Sequence, residues 1–155
     1  MTLYLLLKTI HILSAVAMFG AGGATALVKF MSDRQANLRI RHFINRHVVK
    51  ADLWITTPSV LLQPITGLWL FDLMGLPWSS TWILVSLVLF VIAGVCWLPA
   101  VWLQLRMRDL TAQALESGSD LPPHYDAYVR LWVLLGIPAF LAMFAIVALM
   151  VFKPA

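Results

Sequence analysis

LYLLLKTIHILSAVAMFGAGGATALVK, residues 3–29, decides how the rest of the chain is read. It is a helix-forming apolar run, longer than the roughly 20 residues needed to cross a bilayer. One lysine, Lys8, and one histidine, His11, lie within its first half. Ionisable side chains are costly in hydrocarbon and point to function when they occur there. The run lacks a basic segment before its core, and the core is too long for a cleaved leader, so it reads as a retained helix.

The composition agrees with a lipid environment. The 155 residues are 61% hydrophobic and 12% charged. Soluble domains carry about 25% charged residues, roughly twice as many. The single cysteine, Cys96, permits no intramolecular disulfide and no cysteine cluster for a metal. The excess of basic residues reads as a topological signal, with no nucleic-acid partner expected.

Three more segments pass the length test: residues 51–72, 80–105 and 128–152. Their backbone groups must be satisfied internally in lipid, so each is expected to be helical. The expectation is an all-α polytopic membrane protein, one domain over residues 1–155, with four transmembrane helices in an antiparallel bundle. Helical extensions are expected at 33–50, capped by Ser32 or Asp33, and at 106–117, ending at Gly118. Pro122 and Pro123 begin the last helix, and Pro58, Pro64, Pro99 and Pro138 are expected to kink theirs.

Lys29, Arg34, Arg39, Arg41, Arg46, Lys50, Arg106, Arg108 and Arg130 account for most of the 11 basic residues. All lie in or beside the stretches between segments one and two or between three and four. The positive-inside rule puts those loops in the cytoplasm and both termini outside, in a bacterial inner membrane. The six basic residues from 29 to 50 are expected to meet anionic lipid headgroups.

A polar layer is expected in the outer leaflet. His11 lies about 12 Å below the start of its helix. Gln63 lies equally deep in the second helix, where Thr56, Ser59, Gln63 and Thr66 recur at three- and four-residue spacing and share one face. Ser86 and Met143 come at similar depth in helices three and four. Imidazole is a good ligand for iron or copper, and Lys8 could attract an anionic propionate. The alternatives are a packing histidine bonded to Gln63 or a threonine, a Lys8 that extends outward to the headgroups, and a Met143 that fills space. The GAGGA patch at 20–24 reads first as close helix packing, and second as room for a flat cofactor.

The segment LLLKTIHILSAVAMFGAGG resembles the first helix of HemJ-type protoporphyrinogen oxidases and of CopD-like membrane domains, through Lys8, His11 and Gly20 to Gly23. WITTPSVLLQPITGLWL resembles their second helix through Thr57-Pro58 and Gly67-Leu68-Trp69. Nearly the whole chain is closer still to the DUF2269 group of predicted integral membrane proteins. The HemJ resemblance implies that His11 takes part in binding haem b. It does not extend to the lysine early in that family's third helix or to the Asn-Glu pair of its fourth, neither of which is present here. The implied function is therefore a membrane haem b protein of redox or electron-transfer type. His11 would be the metal ligand, with Lys8, Gln63, Thr66 and Met143 around the cofactor. The partner would be a membrane redox protein or a second copy of the chain. A scaffold subunit with a structural His11 is the alternative, and a copper-handling protein ranks third, because the methionines are scattered.

Overall fold

The computed structural model describes residues 1–153 of the chain. Every element among them is helical, and no strand is present. The chain falls into two compact units, Met1–Leu76 and Pro77–Ala155.

The first unit is a helical hairpin. Helix α1 (Thr2–Asp33) is 32 residues long, about 48 Å at 1.5 Å per residue. Its buried residues Leu7, Ser14, Met18, Lys29 and Ser32 lie along one stripe. Its other faces carry exposed Leu5, Leu6, Leu13, Val16 and Leu27. A helix with so much exposed apolar surface is suited to lipid, not water.

Helix α1 includes Ser32 and Asp33 as its last residues, although these were expected to cap the next helix. Lys29 and Asp33 form an i,i+4 ion pair at 2.8 Å that supports this last turn. The cap of helix α2 (Leu38–Ala51) is Asn37, whose side chain accepts from the backbone N–H groups of Arg39 and Ile40. Asn37 is thus the residue that satisfies the orphan amides of this helix start.

A π-turn, Asp52–Thr56, joins α2 directly to helix α3 (Thr57–Leu73). Proline accounts for it. Pro58 has no N–H to give to the carbonyl four residues back, and its ring crowds that carbonyl. The ladder widens ahead of it: Thr57 N–H reaches Asp52 O, and Thr57 Oγ1 donates to the same carbonyl at 2.7 Å. The kink expected at Pro58 therefore takes the form of a π-turn, and α3 keeps only 17 regular residues.

The second unit is a longer hairpin of α4 (Thr81–Ser117) and α5 (His124–Phe152). Helix α4 stops at Gly118, whose φ of 65° is the left-handed conformation glycine adopts without strain. Pro122 and Pro123 precede α5 as expected, and Tyr125 N–H returns to Pro122 O at 2.9 Å. Pro99 and Pro138 lie inside helices that remain continuous. Leu103, Met107 and Tyr125 form a buried core near the closed end of this hairpin, flanked by Leu110, Tyr128, Val129 and Trp132.

Three helices, α1, α4 and α5, are long and apolar enough to cross a membrane. The fourth expected crossing corresponds to α3 with its π-turn, where the break shortens the regular helix.

Candidate functional site

In the first unit, α1 and α3 meet through a polar cluster centred on His11. His11 Nδ1 lies 2.8 Å from Thr66 Oγ1. Gln63 Nε2 donates to His11 O at 2.8 Å and to Ser14 Oγ at 2.7 Å. Ser14 Oγ in turn donates to His11 O at 3.0 Å. Gly67 lies against the imidazole: a Cβ there would stand 3.2 Å from His11 Cε1. The helices can approach this closely because Gly67 and Ser14 are small, which is how packed helices in lipid maximise contact.

The hydrogen bonds assign the tautomer of His11. Thr66 has one hydroxyl proton, and its oxygen is 2.6 Å from Leu62 O. A carbonyl can only accept, so that proton belongs to Leu62. Thr66 must then accept from His11, which places a proton on Nδ1. A neutral ring protonated at Nδ1 has its lone pair on Nε2. The Thr66 contact, made at Nδ1, leaves Nε2 outside that pair. In metal sites a histidine ligand's second ring nitrogen is commonly held by a neighbouring oxygen, as Thr66 Oγ1 holds Nδ1 here.

The expected residues divide as follows. Thr66 and Gln63 are brought to His11. The polar stripe expected on this helix faces inward, with Thr56, Ser59 and Thr66 buried. Lys8 is exposed, with Nζ 5.8 Å from the centroid of the Tyr4 ring one turn nearer the N-terminus. It extends along the helix towards its end, the alternative reading of this residue. Ser86 and Met143 belong to the second unit, where Ser86 donates to Trp82 O at 2.6 Å and Met143 is half-buried on α5. Ser14 was missed. It lies one turn from His11 on the same face, and that spacing was the available signal.

A second polar cluster closes the other end of the hairpin. Lys29 is fully buried, at 0% exposure. Its Nζ donates to Asp33 Oδ2 at 2.8 Å and to Asn45 Oδ1 at 2.7 Å. Read from sequence, Lys29 was one more cytoplasmic charge. In the structure it ties α1 to α2. Among the described residues, no three of His, Cys, Asp and Glu gather as a metal cluster.

The family model described as a predicted integral membrane protein, DUF2269, matches residues 5–154. The chain belongs to the DUF2269 family. No curated protein and no solved structure matches it significantly. Membership of DUF2269 makes the chain an integral membrane protein, which agrees with its three long apolar helices. In this DUF2269 protein the exposed apolar faces of α1, α4 and α5 are then lipid-facing surfaces.

Proposed function

We propose that the protein is a multi-pass protein of the bacterial inner membrane that binds haem b through Nε2 of His11 and serves electron transfer. The observation that carries this reading is the His11–Thr66 pair, which engages Nδ1 and puts the ring's lone pair on Nε2. The donor chemistry fits, because neutral imidazole is a common axial ligand of haem iron. When bound, the haem would supply reversible one-electron chemistry. The chain's own residues hold the ligand. Thr66 fixes the tautomer, Gln63 and Ser14 fix the α1 backbone at His11, and Gly67 leaves the ring its place. Gln63 and Thr66 are engaged on His11 itself, so they would position it as a ligand.

The proposal includes the topology: α3 with its π-turn makes a fourth crossing, and both termini lie outside. The positive-inside distribution of arginine and lysine supports it. The basic 29–50 segment then meets anionic headgroups, and a membrane redox protein or a second copy supplies the electron partner.

One observation favours a second reading, a structural His11 in a scaffold subunit. Gln63 donates to both His11 O and Ser14 Oγ, as an interhelical polar clamp would. Haem content of the purified protein, as its pyridine complex, separates the two. The haem reading predicts near one equivalent, lost in His11→Ala. The scaffold reading predicts none in either.

A further inference from the structure

We infer that one face of α2 is a docking site for anionic phospholipid, built from Arg39, Arg46 and Lys50 around Phe43. This rests on the topology proposed above, which sets α2 at the cytoplasmic surface, and not on His11 or haem.

The structure narrows the six basic residues of this segment to three. Lys29 is fully buried and bonded to Asp33 and Asn45. Arg41 is half-buried and donates to Gln35 O at 2.7 Å. Arg34 is exposed too, but it lies before α2 and stacks over Phe30, its Cζ 4.1 Å from the ring centroid. On α2 itself, Arg39, Arg46 and Lys50 are exposed. At roughly 100° per residue, these three and Phe43 fall within an arc of about 60°. Phe43 is 58% exposed and Ile40, at the edge of the same face, 43%. No acidic residue occurs between Leu38 and Ala51. The opposite face carries Asn45 and Val48, both buried against the hairpin.

A helix face that joins several cations to an exposed aromatic and an exposed aliphatic is suited to a charged bilayer surface. The cations meet phosphates, and the apolar groups enter the boundary of the acyl chains. The level of α2 agrees. Helix α1 is about 48 Å long, against a hydrocarbon core of about 30 Å, so about a dozen residues extend beyond the core. The Lys29–Asn45 bond fixes α2 beside such an extending end. The charge of the face excludes a basic partner, and its exposed Phe43 and Ile40 favour a lipid surface over an acidic soluble protein.

The test uses the full chain in a mild detergent, with bound phosphatidylglycerol and phosphatidylcholine counted by native mass spectrometry. The wild type should prefer phosphatidylglycerol. Each basic residue at such a surface adds roughly fivefold, so Arg39→Gln/Arg46→Gln/Lys50→Gln together should reduce that preference on the order of a hundredfold. The off-face control Arg34→Gln/Arg106→Gln/Arg108→Gln should retain it to within a few-fold. Phe43→Ser should weaken both lipids alike. The exposed substitutions leave the Lys29 cluster intact, and an unchanged circular-dichroism spectrum verifies this. A wild type without preference, or a triple variant that keeps it, would overturn the inference, and the first result would leave an acidic protein as the occupant. Topology is read separately, by labelling Gln35→Cys in a Cys96→Ala background with an impermeant maleimide from either side of the membrane.

Discussion

Substituting Lys29 tests whether the hairpin is held by its buried cation. Lys29→Met keeps most of the side-chain volume and removes the ammonium group. Asp33 then loses its 2.8 Å partner and Asn45 its 2.7 Å partner. Lys29 is 0% exposed and the Asp33 side chain 5%, so water does not replace what is lost. Two hydrogen bonds to a charged group contribute about 1.5–3 kcal/mol each. Removing one partner of a buried ion pair costs about 3–5 kcal/mol. The two routes agree on a loss of about 3 kcal/mol, on the order of a hundredfold in the unfolding equilibrium. Unfolding of the detergent-purified protein by increasing mole fraction of sodium dodecyl sulfate reads this directly. Lys29→Met/Asp33→Leu removes both charges and should recover most of the loss, since apolar replacement of a whole buried pair is often neutral. A single variant within about 0.5 kcal/mol of wild type would refute the reasoning, because that is the range of ordinary surface substitutions. So would a double variant as unstable as the two singles combined.

Three further substitutions test other parts of the fold. Gly67→Ala places a methyl 3.2 Å from His11 Cε1, and the crowding should destabilise the protein by about 1–2 kcal/mol in the same titration. Asn37→Ala removes the cap of α2 and should cost about 1 kcal/mol, with a lower helical signal by circular dichroism. Gly118→Ala puts a side chain at a φ of 65°, and a loss of about 1 kcal/mol is expected in thermal unfolding.

The helices were legible where one physical signal dominated. The apolar runs, the Gly118 stop and the Pro122-Pro123 start owe little to tertiary context, and the structure places them as read. The three- and four-residue spacing of Thr56, Ser59, Gln63 and Thr66 was equally direct, because a polar stripe has nowhere to go in lipid but inward. Other features depended on contacts that spacing does not encode. Ser32 and Asp33 have the chemistry of helix caps, yet the Lys29–Asp33 pair carries α1 through them and leaves the cap to Asn37. Lys29 was read by its charge as a surface residue, and only the packing of α2 on α1 shows it buried. The π-turn follows from Pro58 once seen, but proline alone announces a kink and not its form. At the site, the meeting of His11 with Gln63 and Thr66 followed from depth and face. The tautomer did not, since it depends on which carbonyl takes the Thr66 proton.

The most direct test of the central claim is the dithionite-reduced minus oxidised optical spectrum of detergent-purified protein, made with haem supplied during expression, beside His11→Ala and Thr66→Val. The account predicts a b-type α-band in the wild type and none in His11→Ala. It predicts a weakened or shifted band in Thr66→Val, where Nδ1 loses its acceptor and the ring its fixed tautomer. A wild type without a band, or a band of equal strength in His11→Ala, would contradict it.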